Sequence, residues 1–197
     1  MNFIVLSSSH GTTFQAILDR LADGTLTGCL GLVADREDRG CVEKARRAHL
    51  PVSIVEHAAG EERESYDRRL DAAIRKLGKV ELIAAIGWMY VLSPWFVKSW
   101  RNRILNVHPS LLPRFPGAHA HEDVLAAGEK ESGMTIHLID EGVDTGPILI
   151  QKRCPVLPSD SPDTLKTRVQ GLEKEWYPKV LAMIEKGTMS LPPSPQS

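Results

Sequence analysis

Asn106 and His108 stand two residues apart in Asn106-Val107-His108-Pro109-Ser110-Leu111-Leu112-Pro113. Alternate side chains of an extended segment share a face, so an amide and an imidazole there point the same way. The amide supplies N–H donors, and the imidazole exchanges a proton near neutral pH. Together they can hold a developing oxyanion and carry a proton. The plainer alternative is a polar strand end with capping side chains. A second cluster, Asp140-Glu141-Gly142-Val143-Asp144-Thr145-Gly146-Pro147, sets three acids and two glycines in a tight loop. Asp144 from this loop can orient His108, raise its pKa and favour the imidazolium. An ordinary acidic turn is the competing reading. A third, Ser7-Ser8-Ser9-His10-Gly11-Thr12-Thr13, lies between an apolar run and a helical pattern. Free backbone N–H groups at a helix start make an anion site. The stretch is neither a P-loop nor GxGxxG, and a Ser/Thr-capped helix explains it equally well.

Gly87-Trp88-Met89-Tyr90 can wall a flat heteroaromatic ligand or simply pack in the core. His119, His121 and His137 invite a metal reading. However, no HExxH or facial-triad spacing accompanies them and no metal site is expected.

The elements that must position these residues alternate. Phe3–Leu6, Leu30–Val33, Val52–Val55, Val80–Ile86 and Ile104–Val107 are short apolar runs that predict strands. Phe14, Ile17, Leu18 and Leu21 recur at helical spacing, as do Tyr66, Leu70, Ile74 and Leu77, and Cys41–His49 forms a short helix. This βαβα order predicts a mostly parallel sheet covered by helices, with ligands beyond the carboxyl ends of its strands. His108–His121 is expected as loop, and Met134–Ile139 and Pro147–Val156 as strands. Ser161 with Pro162 opens a long final helix, in which Pro178 is expected to cause a kink or break. Residues 188–197 are expected to be a flexible tail after a single domain over 1–187.

The 197 residues carry 24 Lys+Arg against 25 Asp+Glu, a net charge of −1. So even a balance argues against non-specific nucleic-acid binding. With 42% hydrophobic residues the chain has an ordinary globular composition, and it can bury roughly 70% of its unfolded surface. Cys29, Cys41 and Cys154 form no CxxC pair, so neither a zinc site nor a disulfide framework is expected. Reduced thiols, no signal peptide and no long apolar stretch predict a cytoplasmic protein without a membrane span.

Asn106 through Pro113 with Gly117, and Val143-Asp144-Thr145-Gly146-Pro147 further on, resemble the signature of the 10-formyltetrahydrofolate-dependent formyltransferases. The resemblance runs from Met1 to about Gly187 and implies a Rossmann-like fold. It implies formyl transfer from 10-formyltetrahydrofolate, as co-substrate and without a metal, to an amine. The nearest members formylate glycinamide ribonucleotide in purine biosynthesis. Relatives acting on methionyl-tRNA add a C-terminal barrel, and those hydrolysing formyl-folate add an N-terminal regulatory domain. A chain of 197 residues holds neither, so small-molecule substrates are expected, on a monomer or a homodimer.

By the same resemblance, Asn106 and His108 stabilise the oxyanion and Asp144 relays a proton. Gly11, Thr12 and Thr13 hold the acceptor's phosphate, and Gly87, Gln170 and Glu173 bind the ribonucleotide. Met89, Tyr90, Val91 and Leu92 wall the folate, Asp140, Glu141 and Val143 reach the pterin, and Arg63 faces its glutamate. The family's phosphate loop is Ser-Gly-x-Gly-Ser-Asn, whereas this chain has Ser8-Ser9-His10-Gly11-Thr12-Thr13. Tyr90 stands where an arginine is common. These departures keep open a sister enzyme with another small amine, a formyl-folate hydrolase, or a silent folate-binding protein.

Overall fold

The first five strands run in one direction because a helix between each and the next carries the chain back across the sheet. The computed structural model describes residues 1–193. Its elements are β1 (Phe3–Ser7), α1 (Thr12–Ala22), β2 (Cys29–Ala34), α2 (Gly40–Arg47), β3 (Val52–Ile54), α3 (Arg63–Lys76) and β4 (Leu82–Ala85). Then come α4 (Pro94–Ser99), β5 (Ile104–His108), α5 (Ala120–Ala126), β6 (Glu131–Leu138), β7 (Ile148–Pro155) and α6 (Pro162–Glu185). The strands lie side by side as β3-β2-β1-β4-β5-β6-β7. Pairing is parallel from β3 to β5, and antiparallel for β5 with β6 and β6 with β7. The result is a single-domain α/β fold with a mostly parallel sheet flanked by helices and a long C-terminal helix.

The strands are buried on both faces, which is why they read as continuous apolar runs. On β1, Phe3 and Val5 join a core with Phe14 and Ile17 of α1 and Tyr177, Val180 and Leu181 of α6. Ile4 and Leu6 point the other way, into a core with Tyr66, Leu70 and Ile74 of α3 and Phe96 of α4. After β1 the chain turns to one side and after β4 to the other. That switch opens a crevice above the carboxyl ends of the two strands.

The elements differ from the expected ones in three places. α4 was not foreseen, although Ser93 caps it and Pro94 occupies its first turn, the signal used for α6. α5 begins inside the region expected to be loop, and its N-cap His119 makes no side-chain bond. α6 passes through Pro178 without a break. A proline there removes a hydrogen bond, but buried Leu165, Val169, Tyr177, Val180 and Leu181 hold the helix to the sheet on both sides. The Tyr177 hydroxyl also donates to the Leu105 carbonyl at 2.7 Å.

Beyond α6, Met189 and Leu191 pack against the core, and Asn102 Nδ2 donates to the Pro193 carbonyl at 2.8 Å. The last part of the expected tail, 194–197, lies outside the described residues. No helix among the described residues is long and apolar enough to cross a membrane.

Candidate active site

The crevice widens into a cavity of about 510 Å³. One end is β5 meeting β6. Asn106 pairs with His137 across these strands, and His108 with Thr135. Asn106 Nδ2 lies 3.1 Å from His137 Nε2. His137 Nδ1 lies 3.0 Å from the Leu138 carbonyl. The tautomer serving both has Nδ1–H donating to Leu138 and a bare Nε2 accepting from Asn106. One amide proton of Asn106 is thereby used and the other remains for a ligand.

His108 is buried, with an acceptor at each ring nitrogen. Nε2 lies 2.7 Å from the Phe115 carbonyl, and Nδ1 lies 3.3 Å from Asp144 Oδ2. Only the imidazolium satisfies both, but burial opposes it. Burial pushes His108 below its ordinary pKa, by more than the Phe115 carbonyl and Asp144 pull it up. The expected rise is thus reversed, because the carboxylate acts on a ring already stripped of water. Asp144 behaves differently. Burial alone would raise its carboxyl, but contact with His137, the Gly117 N–H at 2.9 Å and the charge of His108 hold it below the usual range. Phe115 and Asp144 both have left-handed backbone, at φ 56° and 55°. A non-glycine residue held there costs on the order of 1–3 kcal/mol, a strain that clusters at functional sites.

The other end is the turn from β1 into α1. Gly11, at φ 74°, is the N-cap of α1, and no side chain caps the helix. Any Cβ at position 11 would sit 3.0 Å from Cys41 Cα. Thr12 and Thr13 open α1 and line the cavity, with Gln170, Glu173 and Lys166 of α6 opposite. Thr13 Oγ1 donates to Glu173 Oε2 at 3.0 Å. Burial raises Glu173 to about 7, against the pull of that bond and of Lys166 and Lys174.

Gly87, Met89, Tyr90 and Val91 form the wall between the two ends. A smaller space of about 150 Å³ continues past Asn106 and is lined by Leu92, Asp140, Glu141 and Val143. Met89, Val91 and Val143 are exposed apolar side chains, as the rim of a ligand site would be. The Tyr90 hydroxyl lies 3.4 Å from Asp35 Oδ2, a carboxylate that Arg39 also grips. Two of the sequence-stated site residues stand apart. Gly11 shapes the turn without lining the cavity, and Arg63 is exposed on the first turn of α3, outside both spaces.

His137 was weighed in the sequence only as a metal ligand, yet it stands between Asn106 and Asp144, with Nε2 3.6 Å from Asp144 Oδ1. The pairing of β5 with β6 brings it there, and no local motif signals that. Among the described residues no group of three or more His, Cys, Asp or Glu is placed to hold a metal ion.

Residues 1–181 match the family described as formyl transferase. The chain is 35% identical over 192 residues to the phosphoribosylglycinamide formyltransferase of Escherichia coli, covering 97% of this chain and 90% of that protein. It is 39% identical over 196 residues to the trifunctional purine biosynthetic protein adenosine-3 of Drosophila melanogaster, covering 98% of this chain but 14% of that protein. Among solved structures, glycinamide ribonucleotide transformylase 1 of Symbiobacterium toebii superimposes with a TM-score of 0.92 at 35% identity, covering 98% of this chain and 92% of that one.

Proposed function

The chain belongs to the formyl transferase family, and from that premise we propose that it moves the formyl group of 10-formyltetrahydrofolate onto the amine of glycinamide ribonucleotide. The observation that carries this reading is one cavity with an acyl-transfer constellation at one end and an uncapped helix start at the other. The Escherichia coli relative, matched over 90% of its length, is named for formyl transfer to phosphoribosylglycinamide.

Formyl transfer between nitrogens is acyl transfer. The free amine adds to the formyl carbon, the carbonyl oxygen becomes an oxyanion, and the folate nitrogen leaves with a proton. The spare amide proton of Asn106 is the donor for that oxygen. Preorganised donors matter most where charge develops, and losing one costs roughly 10²–10³ in rate. His108 reaches the reacting atoms by releasing the Phe115 carbonyl. The Ser110 hydroxyl stays beside that carbonyl, shared between the Arg114 carbonyl at 2.6 Å and the Phe115 carbonyl at 3.1 Å. With its pKa lowered, His108 is neutral at pH 7 and can take the proton that the attacking amine sheds. Asp144 then steadies the imidazolium so formed. His137 acts as a positioning residue, fixing the Asn106 amide.

The folate lies along Met89–Leu92 with its pterin toward Asp140–Val143. The ribonucleotide lies toward Thr12, Thr13, Gly87, Gln170 and Glu173. Arg63 is exposed and meets only a tail reaching out of the cavity.

The test is turnover of 10-formyltetrahydrofolate with and without glycinamide ribonucleotide, following folate product and formate separately. Turnover that requires the ribonucleotide, with kcat/KM above about 10⁴ M⁻¹s⁻¹, is the expected result. Formate released without an acceptor would instead mean hydrolysis. Folate binding with neither would mean that another amine is the substrate or that the protein binds folate without turnover.

A further inference from the structure

We propose that the Ser9 hydroxyl is a resident occupant of the anion loop, and that it sets how tightly the loop holds the acceptor's phosphate. The inference rests on reading the turn between β1 and α1 as the part of the acceptor site that takes an anion.

Ser9 Oγ accepts the Gly11 N–H at 3.1 Å and lies 2.9 Å from Ser7 Oγ. A main-chain donor at the mouth of α1 is thus already bonded from within the protein. Thr12 and Thr13, the next two residues, line the cavity where no side chain caps the helix. Ser8 lines it too. It is 4% exposed, and its hydroxyl has no hydrogen-bond partner. An oxygen-bearing ligand therefore finds a ready donor at Ser8, whereas the Gly11 N–H lies behind the lining and is covered by the hydroxyl of Ser9, which does line the cavity.

The Ser9 hydroxyl is not the turn's sole support. Ser8 N–H donates to the Gly87 carbonyl at 3.2 Å, and Cys41 N–H to the Ser9 carbonyl at 3.3 Å. Lys44 Nζ donates to the Gly11 carbonyl at 2.8 Å. None of these bonds uses the Ser9 side chain. Ser9 also has an ordinary backbone, since the left-handed residue of the turn is Gly11. Removing the hydroxyl should leave the loop in place and free one N–H.

The prediction runs against the usual effect of deleting a polar side chain. Ser9→Ala should bind inorganic phosphate more tightly, by roughly tenfold, the worth of one hydrogen bond to a charged acceptor. Phosphate is titrated into the full chain and into the variant, followed by calorimetry or ³¹P NMR. Ser9→Gly also removes the hydroxyl and repeats the test should the alanine variant not fold. Tightening in either variant supports the proposal. Unchanged or weaker binding overturns it, as does phosphate binding by neither protein. Because the probe is phosphate itself, the result is independent of turnover. Failure of the formyl-transfer reading would show instead as no ribonucleotide-dependent product.

Discussion

At the β5–β6 end of the cavity the working groups are side chains on paired strands, while at the β1–α1 end the anion would be met largely by main-chain N–H groups. Asn106 meets His137 at 3.1 Å and His108 meets Asp144 at 3.3 Å, with His137 and Asp144 3.6 Å apart. The turn is held at its main-chain groups, with the Ser8 N–H on the Gly87 carbonyl and the Lys44 ammonium on the Gly11 carbonyl. Substitution should therefore be ruinous at the first end and graded at the second.

The severest break of that contrast is Asn106→Ala or His108→Ala, each expected to lower kcat by roughly 10²–10³ in steady-state assays. A variant turning over at near-native rate would remove the residue from the proposed step. Asp144→Asn should lose comparably, and it carries a second signature. Asp144 pulls the His108 pKa upward, so its neutral replacement should move the His108 midpoint lower still in an NMR titration. An upward move would contradict the assigned contact. His137→Gln should cost about five- to tenfold in kcat, the worth of roughly one hydrogen bond to the Asn106 amide. A loss as large as that of Asn106→Ala would make it more than a positioning residue.

The prediction at the other end is read in stability instead of rate. Glu173 has a folded pKa near 7 against an ordinary 4.5, so the native state binds more protons between those values. Its contribution is complete below about pH 4.5 and is lost as pH rises through 7. Thermal midpoints should fall over that window, and Glu173→Gln should flatten the fall. An identical profile in the variant would mean that Glu173 is not the group responsible.

The same contrast decided what could be read in advance. Period two puts Asn106 and His108 on one face whatever the rest of the chain does, so their partnership needs only the local sequence. His137 joins them only because β6 pairs antiparallel with β5 in one register, which single-chain periodicity does not encode. The Phe115 carbonyl is hidden for a similar reason, since every residue has one. Ser9 stands where the family's loop has a glycine, a position that could have demanded left-handed backbone. The structure places the left-handed residue at Gly11 instead and gives Ser9 a role through its hydroxyl. The parallel half of the sheet was legible because doubly buried strands are apolar throughout. α4 carries a local start signal in Ser93-Pro94, whereas α5 has no side-chain cap.

The pairing of Asn106 with His137 and of His108 with Thr135 has a use outside catalysis. A slip of β6 by one residue would turn Thr135 and His137 into the core and bring Met134, Ile136 and Leu138 out of it. The fold would still give the circular dichroism of a strand, but Asn106 would have lost its partner. Recovered turnover after dilution from denaturant therefore counts correctly registered molecules, whereas secondary-structure signal counts all of them. The gap between the two curves would measure how often this chain zips its last hairpin one step out of line.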